Sequence, residues 1–94
     1  MAKKQNTQVS ISCSEINHKI TGMYTRMNNL YDKAILAEDD ITFKNLITKL
    51  VELDDEVLEF KATIPEEFDY NIRDIDQLHN QICTNIKNLL DLVP

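Results

Sequence analysis

Seven apolar residues, Phe43, Leu46, Leu50, Leu53, Val57, Phe60 and Ile64, recur at alternating spacings of three and four. That is the helical period, and it predicts one α-helix over Asp39 to Ile64, about seven turns long. Ile47, Val51 and Leu58 flank the seam on the helical wheel. The apolar face is too wide for a single contact, so the pattern predicts a helix packed between two neighbours.

The rest of the chain supplies both neighbours. Ser12 stands three residues before Glu15 as a capping box, with Ile11 and Ile16 placed to pack as a hydrophobic staple. From Cys13 onward, Ile16, Ile20, Met23, Met27, Leu30, Ala34 and Ala37 repeat the same alternation, widened by Tyr24 and Tyr31. Gly22 lies within this helix and costs about 1 kcal/mol of helix propensity against alanine. Extending the repeat beyond Ala37 would turn Lys44 and Thr48 inward, whereas the next seam restarts out of phase at Phe43. A turn near Glu38 to Asp40 is therefore expected, with Asp39 or Asp40 capping the second helix. Pro65 cannot donate a backbone hydrogen bond and disfavours helical geometry at Ile64, so the second helix ends by about Thr63. Pro65, Glu66, Glu67 and Asp69 then read as an acidic first turn of a third helix, whose seam is Phe68, Ile72, Ile75, His79, Ile82, Ile86, Leu89 and Val93. Short connections between long helices make neighbours antiparallel. The expected fold is all-α: an antiparallel, up-down-up three-helix bundle over residues 12–94, preceded by a flexible arm over 1–11. Coiled-coil-like packing between copies is a natural extension.

One glycine and two prolines in 94 residues argue against sheets joined by tight turns. The net charge of -6 opposes direct binding to nucleic acid or to an anionic membrane and favours basic protein partners. No apolar run is long enough for a signal peptide or a bilayer span, so a cytoplasmic location is expected. Two cysteines in such a chain read as reduced thiols packed as small hydrophobes.

The topology sorts the surface into two poles. Tyr31, Ile35, Leu36, Ile41, Ile47, Leu90 and Leu92 exceed what one stripe per helix requires and gather where the first helix ends, the second begins and the third ends. A contiguous apolar surplus marks an interface, with a second copy or with another protein. The other pole is acidic, with Glu52, Asp54, Asp55, Glu56 and Glu59 on the second helix and Glu66, Glu67, Asp69, Asp74 and Asp76 beyond it. Carboxylate rows on a rigid helix can imitate a phosphate backbone and occupy the basic channel of a nucleic-acid-binding protein. The plainer reading is a solvated, solubilising face, and Lys44, Lys49, Lys61 and Arg73 interrupt it.

Catalytic signatures are absent from the sequence. His79 and Cys83 are four apart on one helix, and Cys13 and His18 lie close on another. In a bundle whose first and third helices run parallel, the two pairs are on the order of 20 Å apart. Neither a shared metal site nor a Cys13–Cys83 disulfide is expected, and no cofactor is implied. The run His18-Lys19-Ile20-Thr21-Gly22 resembles the phosphoacceptor motif of histidine phosphotransfer domains, in which an exposed helical histidine is followed four residues later by glycine. The resemblance implies His18 as a phosphoryl acceptor. No carboxylate pair, glycine-rich phosphate loop or nucleophile elbow can be read. The sequence thus favours a small acidic, non-enzymatic interaction module over an enzyme. The best expectation is an inhibitor of phage or mobile-element type that binds a host protein, and the alternatives are an assembly adaptor or chaperone, or a self-assembling homo-oligomer.

Overall fold

A computed structural model describes residues 12–93. It contains three helices, α1 (Cys13–Leu36), α2 (Asp40–Ala62) and α3 (Asp69–Asp91), each packed against the other two in an all-α, up-down-up bundle. The arm expected over 1–11 and the staple residue Ile11 lie outside the described residues.

Local chemistry sets each boundary. The Ser12 hydroxyl accepts from the Glu15 N–H at 3.1 Å, and the Glu15 carboxylate accepts from the Ser12 N–H at 3.3 Å, which completes the capping box that starts α1. Ala37 leaves the helical region, and Asp39 accepts from the Thr42 N–H at 2.9 Å to start α2. This hydrogen bond holds the Asp39 carboxyl below the usual carboxylate range. Past Thr63 the chain turns through Pro65 to Phe68, closed by a 3.0 Å bond from the Phe68 N–H to the Pro65 carbonyl.

That turn corrects one expectation. Pro65, Glu66 and Glu67 precede α3 rather than forming its first turn, and Phe68 occupies the N-cap without a side-chain bond. Proline accepts the turn bond readily, while Phe68 has no oxygen to offer the first helical amides.

The core is the seam of α2 (Leu46, Leu50, Leu53, Val57, Phe60 and Ile64) set between Ile16, Ile20, Met23, Met27 and Ala34 of α1 and Ile75, Leu78, Ile82 and Leu89 of α3. On α3 the buried line keeps Ile75, Ile82 and Leu89 of the apolar seam and moves one residue earlier at the positions between, to Asn71, Leu78 and Asn85. Asn71, Ile75, Leu78, Ile82, Asn85 and Leu89 are buried; Ile72, His79 and Ile86 are half-buried beside them, and Val93 is exposed. Two asparagines therefore occupy interior positions. The Asn71 amide donates to Asn17 Oδ1 at 2.7 Å and accepts from the Cys13 thiol at 3.3 Å, tying the start of α3 to the start of α1. The Asn85 carbonyl accepts from Gln81 Nε2 at 3.0 Å on its own helix. No buried side-chain N or O is left unpaired among the described residues, as low-dielectric surroundings demand.

Both cysteines are exposed rather than packed inside. On α2, Val51 and Leu58 remain 45% and 41% exposed, so the wide apolar face is only partly covered by its two neighbours.

Candidate interaction surface

Where α1 ends, α2 begins and α3 ends, the bundle leaves its largest run of apolar side chains in water. Leu36 and Ile41 are 77% and 73% exposed, and Ile35, Leu90, Leu92 and Val93 join them at 45–61%. Buried Ala34, Leu46 and Leu89 anchor the three helices within about a turn and a half of these positions. The patch is thus one end of the bundle, carried by residues next to its core. Five of the seven residues expected at this pole, Ile35, Leu36, Ile41, Leu90 and Leu92, stand free on it, while Tyr31 and Ile47 are half-buried against the core.

A shallow cleft of about 230 Å³ opens at the same end. Ala34, Ile35, Ala37, Phe43, Leu92 and Val93 give it an apolar floor, and Glu38, Asp39 and Asp40 form its polar edge. Every charged group lining it is a carboxylate. An apolar floor with an anionic edge favours an apolar side chain carried among basic neighbours.

Glu52, Asp55, Glu56 and Glu59 share one exposed face of α2, and Asp54 stands apart from it. Asp54 is half-buried and its Oδ1 lies 2.6 Å from His79 Nδ1. Glu56 accepts a two-pronged bond from Arg26 of α1, at 2.9 and 2.8 Å. Glu52, Asp55 and Glu59 are exposed. Farther along, Asp76 pairs with Lys61 at 2.6 Å. Of the five carboxylates on α2, Asp54 and Glu56 are thus engaged with a neighbouring helix.

His18 is exposed on α1 and borders a cleft with Ser14, Glu15, Lys19 and Phe60. Lys19 Nζ sits 5.0 Å from the Phe60 ring centre, a cation–π contact that covers part of that ring. A Cβ placed on Gly22 would meet nothing within 4 Å, so packing does not require glycine there.

One grouping escaped the sequence reading. Asp54, His79 and Cys83 converge across the α2–α3 contact, with Cys83 Sγ 3.8 Å from His79 Nε2. The order carboxylate, imidazole, thiol has the connectivity of a nucleophilic triad. Burial, and then the charge of Asp54, push the Cys83 thiol up rather than toward thiolate, and Cys83 borders none of the four main clefts among the described residues. The two helical histidine-cysteine neighbours could be seen in the sequence; Asp54, on another helix, could not.

Among the described residues, no helix is long and apolar enough to cross a membrane. No protein-family model, curated protein or solved structure matches the chain.

Proposed function

We propose that this chain is a non-catalytic protein-binding module whose apolar end takes a partner segment bearing an apolar side chain among basic ones. The observation that carries the reading is the exposure of Leu36, Ile41, Leu90 and Leu92 together at one end, beside a cleft edged by Glu38, Asp39 and Asp40. Solvent-exposed apolar groups concentrated in this way lower their free energy when covered. The surface suits a small inhibitor, of the phage or mobile-element type, that occupies a basic surface on a host protein. An adaptor or chaperone that shields a partner's helix would use the same end.

The test is binding of a basic amphipathic helical peptide, followed by fluorescence anisotropy at several salt concentrations. The parent protein is expected to bind, more weakly as salt rises, and not to bind a peptide of the same composition in scrambled order. Leu36→Asp and Ile41→Asp should keep their helicity and lose binding. Binding that survives both substitutions, or no binding by the parent, overturns the reading. An inhibitor then reduces a measurable activity of its partner, whereas an adaptor keeps the partner soluble.

A second reading, self-association, is favoured by Val51 and Leu58, which stay exposed one heptad apart on the outer face of α2. Light scattering across a dilution series separates the two. A stable oligomer dispersed by Val51→Lys or Leu58→Lys would establish this second reading, and a monomer at all concentrations would exclude it.

A further inference from the structure

We propose that Asp54, His79 and Cys83 form a three-donor site for a borderline-soft divalent cation, with zinc the best match, that fastens α2 to α3. The three donor atoms lie within 4.8 Å of one another. They comprise one carboxylate oxygen, one imidazole nitrogen and one thiol sulfur. This mixture suits zinc or cobalt, whereas magnesium and calcium select oxygen alone.

The spacing fits coordination. Donors bound tetrahedrally to zinc at about 2.0 to 2.3 Å stand roughly 3.3 to 3.7 Å apart. Here the His79 Nδ1 to Asp54 Oδ1 separation is 2.6 Å, and Cys83 Sγ lies 3.9 Å from Nδ1. The required distances fall between these, and the third pair, Asp54 to Cys83, lies within 4.8 Å, so the three donors stand within about an ångström of the separations an ion needs. His79 Nδ1 is the nitrogen near both other donors, and the cation takes the place of the hydrogen bond it now shares with Asp54. On coordination the thiol gives up its proton to solvent and binds as thiolate.

The backbone already holds this arrangement. His79 and Cys83 are one turn apart on α3, so their side chains rise from the same strip of surface. Asp54 follows Leu53, and His79 follows Leu78, both wholly buried. The donors are thereby hung on the core of two packed helices rather than on a loop. The side chain of Asp54 is 15% exposed and that of His79 is 32% exposed, while Cys83 is open to solvent. The inner donor is sheltered and the outer side is accessible. Three protein ligands leave a coordination position for water, as in open zinc sites.

The experiment is titration of the full chain, kept reduced, with Co²⁺ and then Zn²⁺. The expected result is one Co²⁺ per chain, a thiolate-to-cobalt charge-transfer band in the near ultraviolet, and loss of that band as Zn²⁺ displaces cobalt. Cys83→Ser should abolish the band, and Cys13→Ser should retain it. Asp54→Asn and His79→Gln should weaken binding by at least the roughly 10- to 100-fold that loss of an outer-shell partner costs. Circular dichroism on every variant verifies the helices, and a rise in parent Tm with Zn²⁺, absent in Cys83→Ser, gives a second readout. No band, a band that survives Cys83→Ser, or one metal shared by two chains overturns the site.

Discussion

At the scale of single residues, the Arg26–Glu56 fork shows how charge is spent on this surface. The two-pronged hydrogen bond from Arg26 holds the Glu56 carboxyl below its ordinary value of 4.5. The folded protein therefore binds a proton at Glu56 less readily than the unfolded chain does. The stability this pair contributes is complete above that ordinary value and is lost as pH falls through the lower folded value. Both side chains are about half exposed, at 52% and 47%, so the contribution is limited to at most about 1 kcal/mol. Glu56→Gln is expected to be less stable than the parent at about pH 7, with the difference shrinking as pH falls below the ordinary carboxylate range, as read by urea unfolding. A difference that stays constant with pH would show that the charge of Glu56 contributes nothing. Ser12 offers a comparison from within one helix. Replacing it with alanine removes the acceptor for the Glu15 N–H and should cost about 1 kcal/mol in the same assay at about pH 7.

At the scale of the element, α3 carries the lesson about patterns. Its apolar residues predict a helix correctly, and their period is right. Ile75, Ile82 and Leu89 are buried as the pattern has them, but at the positions between the buried line is one residue earlier, because a hydrophobic pattern counts Ile72 and Ile86 and passes over Asn71 and Asn85. A helix with apolar residues on both flanks of its contact line can be rotated slightly without changing its apparent period. The hydrogen-bond partners fix the rotation. Asn71 reaches Asn17 and Cys13, and neither contact is visible until α1 and α3 lie side by side. The helices α1 and α2 carry no such ambiguity, since capping side chains at Ser12 and Asp39 announce their starts. Asn85 bonds only within its own helix in the described contacts, so its place inside adds little to stability. Asn85→Leu is expected to stabilise the fold, on the order of 1 kcal/mol, seen as a higher Tm. If Asn85 also restrains alternative packing, the variant will show extra species by light scattering. A large loss of stability would mean that Asn85 has a partner its own helix does not provide.

At the scale of the molecule, inside and outside are assigned by the three-way packing. Leu50 is wholly buried at the centre of α2, whereas Leu36 is 77% exposed at the end of α1. Leu50→Ala should cost about 2 to 5 kcal/mol, while Leu36→Ala should leave unfolding almost unchanged. Equal costs would mean that the apolar end is covered in the folded state. Ile35, Leu36, Ile41, Leu90 and Leu92 at that end were legible in the sequence because they exceed one stripe per helix, whereas Val93 continued the seam of α3 and is exposed because it lies past the last turn. Tyr31 and Ile47 were not separable from them, since coverage of a flanking position depends on how closely two helices approach. The Asp54, His79 and Cys83 grouping was still less accessible, because Asp54 and His79 are 25 positions apart and meet only through the register of α2 against α3.

The up-down-up path also decides how the molecule can be handled. Parallel α1 and α3 set Ser12 and Val93 at opposite ends, roughly 35 Å apart along a helix of this length. Val93 borders the cleft at the apolar end. An affinity tag or fluorescent protein fused after it would sit across that cleft and act as a competitor for any partner. The same tag ahead of Ser12 would stand a full helix length away. Binding measured with the two fusions would then differ for reasons of placement alone, and the amino-terminal one is the fusion to use.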